Sequence, residues 1–284
     1  MPASIAAYTM YGFEWLRADI RTFWAGAASR LRDAGMPDVP SRLTWKMPEE
    51  EQWHAPNLLL GQTCGYPLMK GVTGEVRLVA TPVYNAPYCD GANYCSLIVV
   101  RKNSSVTSLS QLKGRVAATN KTISHSGYNA FRRLVADYVN QTRLQAGRPA
   151  DQAGGARFFA DVVLCGSHWG SLRAVASGKA DVAAIDAVSF HLLSQGKPEL
   201  TDAVRILTTT LPAPGLPLIT AGGQSDDDLR LLRLAVMETL GDEKVRPALA
   251  NMGIAGFQVL NRYAYGEILA FERQAEDMGY PVLA

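Results

Sequence analysis

Two short runs carry most of the polar chemistry in this chain: Ser124-His125-Ser126-Gly127, and Cys165-Gly166-Ser167-His168 with Ser171 close behind. Hydroxyls and a glycine where a helix begins suit an anion, because free backbone amides and the positive dipole end face it while Ser hydroxyls add donors. The 124–127 loop is neither Gly-x-x-x-x-Gly-Lys nor Gly-x-Gly-x-x-Gly, so it reads as an anion cradle without nucleotide machinery. His125, His168, Asp186 and Cys64 are also residue types that perform acid–base or thiol chemistry. The four cysteines, Cys64, Cys89, Cys95 and Cys165, match no zinc spacing, so neither a metal nor a cofactor is expected. Cys89 and Cys95 suit pairing in an oxidising compartment, whereas free thiols are the expectation here.

The elements that must position these groups follow from periodicity. Val162-Val163-Leu164, an amphipathic segment with Leu172, Val175 and Ala176 on one stripe, a Gly178 stop and Val182-Ala183-Ala184-Ile185 spell strand, helix, strand. Ser167, His168, Ser171 and Asp186 then fall at strand ends, where open α/β sheets bind ligands. Ser167 and Asp186 equally suit plain helix caps. One unit earlier, the strand Arg115–Thr119 leads through the 120–127 loop into a helix carrying Phe131, Leu134, Val135, Tyr138 and Val139.

In chain order, Ser4 to Tyr8 reads as a strand that leaves Tyr11 near its end, and Glu14 to Leu31 as a helix closed by Gly35 and Pro37. Ser41 to Trp45 reads as a strand and Pro48 to Ala55 as a short acidic helix or loop. Asn57 to Gly61 is a buried strand delivering Gln62, Thr63, Cys64 and Tyr66. Val76 to Ala80 and Tyr94 to Val100 are further strands, the second buried on both faces. Residues 145–155 form a polar loop, Ala187 to Ser194 a helix, and Val204 to Thr209 a strand returning to a first lobe. Pro217 to Ala221 reads as a strand and Asp226 to Leu240 as a helix, with 243–252 and 263–278 helical and packed on that lobe. This gives lobe 1 as 1–100 plus 204–284 and lobe 2 as an insertion, 101–203.

An ordered set of motifs resembles one family. Gln62-Thr63-Cys64-Gly65-Tyr66-Pro67, Tyr94-Cys95-Ser96, Ser124-His125-Ser126-Gly127-Tyr128, Gly166-Ser167-His168 with 171–181, Ala184-Ile185-Asp186-Ala187 and Pro214-Gly215-Leu216-Pro217 are similar to the phosphate, phosphite and phosphonate solute-binding proteins of ABC transporters. The resemblance implies an α/β, two-lobed, type II periplasmic-binding-protein-like fold, each lobe a mostly parallel sheet flanked by helices, the two joined by a two-strand hinge. It implies a small oxyanion held in the cleft between lobes, an ABC permease as partner, and no catalytic residue. The ligand set is Tyr11, Gln62, Thr63, Tyr66, Tyr94, Ser124, His125, Ser126, Gly127, His168, Ser171 and Asp186. The family usually has Ser-Thr-Ser-Gly in the anion loop, and this chain places His125 at the threonine. Asp186 repels an anion unless it accepts the ligand's proton or orients a donor, which fits a protonated phosphate or phosphite or an aminophosphonate, and argues against sulfate.

Composition permits this without demanding it. The 284 residues are 48% apolar and 19% charged, with a formal net charge of +2 that gives no reason to expect nucleic acid as a partner. A monomer is expected. Met1 to Met10 lacks a basic start and an apolar core, so the chain as written reads as cytoplasmic, or periplasmic if a leader was removed. The alternative class is a small-molecule enzyme of cofactor biosynthesis on the same fold. A regulator's effector lobe would need a helix-turn-helix ahead of the first strand, and the chain begins too near it.

Overall fold

A computed structural model describes residues 3–147 and 157–284. Its elements in chain order are β1 (Ile5–Ala6), α1 (Arg17–Asp33), α2 (Glu49–His54), β2 (Leu58–Gln62), α3 (Gly65–Met69), β3 (Val76–Tyr84), β4 (Cys89–Asp90), β5 (Asn93–Tyr94), β6 (Ser96–Arg101) and β7 (Val116–Thr119). There follow α4 (Ala130–Gln145), β8 (Asp161–Leu164), α5 (His168–Ala176), β9 (Val182–Asp186), α6 (Ala187–Gly196), α7 (Pro198–Thr201), β10 (Val204–Thr209), β11 (Ala213–Pro214), β12 (Leu218–Ala221), α8 (Asp226–Glu238), α9 (Arg246–Asn251), β13 (Ile254–Gln258) and α10 (Gly266–Asp277). The chain divides into two units, one of Met1–Asn93 with Pro214–Tyr265, the other of Tyr94–Ala213 with Gly266–Ala284.

The first unit is built on a sheet of order β1-β2-β12-β3-β13. β1 runs parallel to β2, while β12 is antiparallel to both β2 and β3, so this sheet is mixed. α1 owes its place to Ile20, Phe23, Trp24, Ala27 and Leu31, a buried stripe at helical spacing. Phe23 meets Tyr8 edge-on at 6.1 Å and stacks on Phe257 at 5.9 Å. The expected strand at Ser41–Trp45 does not form; the Thr44 amide bonds the Ala6 carbonyl at 2.8 Å without a ladder. β13 falls where the sequence reads as helical on both sides, because five residues containing Gly256 show little alternation.

The second unit has the order β10-β6-β9-β7-β8. β7, β8 and β9 are parallel, so β8, α5 and β9 make the expected crossover unit. β6 and β9 are buried nearly throughout, as apolar runs in a covered sheet must be. Phe131, Phe158, Phe159, Val182 and Ala184 centre the core, with Phe158 and Phe159 edge to face at 5.0 Å.

The units divide differently from the sequence expectation. β10 pairs antiparallel with β6 and forms an edge of the second sheet instead of returning to the first. Residues 266–284 also belong to the second unit, because Ala275, Tyr280 and Leu283 are buried in its core. The chain therefore passes between units at 93/94, 213/214 and 265/266. The expected polar loop at 145–155 lies outside the described residues from 148 onward.

Candidate ligand-binding site

The anion loop is a single turn of π-helix, His125–Asn129, set between β7 and α4. The Asn129 amide reaches back to the Ser124 carbonyl at 3.0 Å, five residues away, and such wide turns concentrate at functional sites. Ser124 caps the turn: its Oγ accepts the Gly127 amide at 3.1 Å, leaving the hydroxyl proton to donate. The Gly127 amide is therefore already bonded within the loop. The carbonyls of this turn, which would repel an anion, are tied back. Ser96 Oγ donates to the Ser126 carbonyl at 2.9 Å, and Thr119 Oγ1 donates to the Gly127 carbonyl at 2.7 Å. A Cβ at Gly127 would run into the Asn120 side chain, which would have to move to admit it.

The second loop delivers His168 as the first residue of α5. Ser167 caps this helix by accepting the Gly170 amide at 3.0 Å. Gly170 in turn permits the Cys165 carbonyl to lie against the first turn, where a Cβ would collide with it. Asp186 ends β9 and divides its carboxylate. Oδ1 accepts the Ser189 amide at 2.7 Å and caps α6, while Oδ2 lies 3.2 Å from His168 Nε2. Capping and site chemistry thus coexist in one side chain.

The decisive geometry is at that nitrogen. Ser126 Oγ lies 2.8 Å from His168 Nε2, so hydroxyl and carboxylate share one imidazole atom. The direction of the Ser126–His168 bond follows the ring's tautomer: a proton on Nε2, which the Asp186 carboxylate beside it favours, makes Ser126 the acceptor and leaves the hydroxyl its own proton. In a nucleophilic triad the serine and the carboxylate engage opposite ring nitrogens. Here both engage the same nitrogen. Burial lowers the basicity of His168, opposed by the Asp186 charge and by the Ala184 carbonyl.

His125 is buried and burial alone pushes its pKa down to about 3, so the ring is neutral. Phe271 from α10 meets it edge-on at 5.1 Å, and the Tyr94 ring lies at 6.4 Å. Ser171, one turn beyond His168 on α5, is buried with no partner for its hydroxyl among the described residues. Of the twelve expected residues, the eight from Tyr94 to Asp186 all fall in the second unit.

The other four fall in the first. Tyr11 is edge-on to Tyr84 at 5.6 Å, and the Tyr84 hydroxyl bonds Tyr8 at 3.2 Å. Gln62, at the end of β2, donates to the Leu216 carbonyl at 3.3 Å. Thr63 is buried and bonds the Cys64 carbonyl at 3.3 Å, and Tyr66 lies in α3 with the Lys70 ammonium 6.0 Å from its ring. Sequence reasoning passed over Tyr8, Tyr84, Thr119 and Asn129. Asn129 carried a readable sign, four residues from His125 on a turn leading into a helix.

No disulfide joins the four cysteines. Among the described residues no cluster of metal-ligating side chains occurs, and no helix is long and apolar enough to cross a membrane.

Residues 58–265 match the model of the periplasmic substrate-binding protein of phosphonate ABC transporters. No curated protein matches in sequence. Among solved structures, the binding-protein component of an ABC phosphonate transporter, PA3383 from Pseudomonas aeruginosa, superposes with a TM-score of 0.72 at 17% identity, covering 96% of this chain and 87% of that one. PhnD1 from Prochlorococcus marinus, solved with methylphosphonate, gives a TM-score of 0.70 at 15% identity, covering 98% and 100%. XAC2383 from Xanthomonas citri, solved with ATP, gives 0.67 at 18%, covering 97% and 98%. The shared architecture is the type II periplasmic-binding-protein fold.

Proposed function

The chain belongs to the family of periplasmic substrate-binding proteins of ABC phosphonate transporters, a family of binding components and not of enzymes, and from that premise we propose that it captures a small phosphorus oxyanion bearing a proton. The ligand sits against the ends of β7, β8 and β9, with Ser124 and Ser126 as hydroxyl donors, His125 and Tyr94 beside them, and Asp186 accepting the ligand's proton. Methylphosphonate, the ligand of the PhnD1 structure, is the first candidate, with phosphate and phosphite as smaller members of the class. The protein delivers it as a monomer to an ABC permease.

One observation carries this reading: Ser126 and Asp186 meet at the same His168 nitrogen, at 2.8 and 3.2 Å. With the imidazole proton held on Nε2 by the neighbouring carboxylate, Ser126 keeps its own proton for an anion and Asp186 stands close by. Charge-assisted bonds of this kind strengthen where water is excluded. Sulfate has no proton to offer Asp186 at neutral pH and is disfavoured. The same sharing of one nitrogen is poor equipment for acyl transfer, which agrees with a family of binders.

The test is a thermal-shift and calorimetric screen of methylphosphonate, phosphite, phosphate, ATP and sulfate. A ligand of the proposed class at a hundredfold excess over its Kd adds about 2.7 kcal/mol of stability. Ser126→Ala should lose most of that gain while keeping the parent's unliganded Tm. Full retention of the gain in Ser126→Ala places the cradle elsewhere, and a response to sulfate equal to that for phosphonate removes the role given to Asp186.

A further inference from the structure

Asn129 closes the π-turn and is wholly buried. Its Oδ1 accepts from Arg132 Nη2 at 2.7 Å, its Nδ2 donates to the Ile268 carbonyl at 2.9 Å, and the same Nδ2 lies 3.3 Å from His125 Nδ1. A guanidinium only donates and a carbonyl only accepts, so the amide has a single permitted orientation. The group it turns toward His125 is an N–H. Nδ1 must then accept, and the ring's one proton lies on Nε2.

The clamp is itself fixed. Arg132 donates to the Pro281 carbonyl at 2.5 Å, lies 3.7 Å from the Glu272 carboxylate and sits over the Tyr128 ring at 5.6 Å. The Tyr128 hydroxyl accepts the Leu283 amide at 3.3 Å. Ile268, Glu272, Pro281 and Leu283 all lie in the C-terminal segment, which so grips the anion loop from behind.

We propose that Asn129, clamped between Arg132 and the Ile268 carbonyl, is a positioning residue that fixes His125 as the Nε2–H tautomer and so gives the anion loop a neutral imidazole N–H donor. Where the resembling family places a threonine, whose hydroxyl both donates and accepts, this ring edge only donates. It favours a bare oxyanion oxygen at that position and leaves the ligand's protonated oxygen to Asp186. Burial of the ring, with its pKa near 3, keeps the donor uncharged throughout the working range. What the donor serves rests on the cradle reading above; the tautomer does not.

Long-range proton–nitrogen NMR correlations on the labelled protein read the tautomer directly. The parent should show His125 protonated at Nε2 and unchanged from pH 5 to 8. Asn129→Asp replaces the N–H with an acceptor, so His125 should move its proton to Nδ1 or begin to titrate in that range. Methylphosphonate affinity should fall by about tenfold, as expected when a buried donor is lost. In a His125→Thr background the same Asn129→Asp change should cost less than about twofold, since no tautomer remains to be set. An Nδ1-protonated ring in the parent overturns the proposal, and so does an unchanged tautomer in Asn129→Asp. If Asn129→Asp does not fold, the parent spectrum alone decides. A parent with the expected tautomer but no response to methylphosphonate upholds the proposal and fails the cradle reading instead.

Discussion

His125 and His168 sit in the same unit and are less basic than a free imidazole for the same leading reason, burial. The thermodynamic sign follows from which state binds protons. Below the ordinary value of 6.5 the unfolded chain protonates both rings, while the folded chain resists down to about 3 at His125. Acid therefore draws the equilibrium toward the unfolded state, and the stabilisation is complete only above 6.5. Chemical denaturation at pH 7.5, 6 and 5 should show stability falling with pH. His125→Gln should flatten that fall by up to about 1.4 kcal/mol per pH unit, one proton's worth. A slope identical to the parent's would mean that the ring is solvated in the native state. The placement of Ser124, His125, Ser126 and Asp186 at the strand ends of one unit was legible from the strand–helix pattern. The sharing of one His168 nitrogen was not, because it depends on how two loops separated by some forty residues are turned toward each other.

At the scale of elements, α5 starts where it does because Ser167 caps it and Gly170 admits the Cys165 carbonyl. Gly170→Ala forces a methyl against that backbone oxygen, an overpacking that costs roughly 1–3 kcal/mol, and it should weaken ligand binding by displacing His168. α8 in the first unit offers the control. Ser225 caps it by accepting the Asp228 amide at 3.0 Å, ahead of three aspartates that favour the positive dipole end. Ser225→Ala should cost about 1 kcal/mol and leave methylphosphonate affinity at the parental value. Calorimetry on the two variants separates the expectations, and a binding defect in Ser225→Ala would contradict the assignment of the cradle to the second unit. α5 was readable from its Ser167 cap and apolar stripe, and α8 from its apolar stripe behind an acidic first turn. β13 was not, since five residues interrupted by a glycine show no periodicity of their own and become a strand only by pairing with β3.

For the molecule as a whole, the instructive segment is the last one. Residues 266–284 carry an amphipathic pattern that demands burial without naming the partner surface, and sequence adjacency favours the first unit. In the structure they complete the second: Phe271 backs His125, Ile268 holds Asn129, and Ala275, Tyr280 and Leu283 fill the core. Ending the chain at Tyr265 should therefore unfold the second unit and abolish oxyanion binding, visible as lost dispersion in the amide spectrum of residues 94–213. A truncated protein that still binds methylphosphonate would show the segment to be a passive cover.

What the sequence determined by itself was the kind of molecule and its vocabulary: alternating strands and helices, an anion-loop motif, and the ordered residues that mark the family. Those follow from local rules, since periodicity, capping and loop chemistry act over a few neighbours. Tertiary structure decided which unit receives β10 and the C-terminal helix, which way the Asn129 amide faces, and that Ser126 and Asp186 meet at one nitrogen. Each of these depends on contacts between residues far apart in the chain, where an apolar stripe or a hydrogen-bonding group accepts many partners and only packing selects among them.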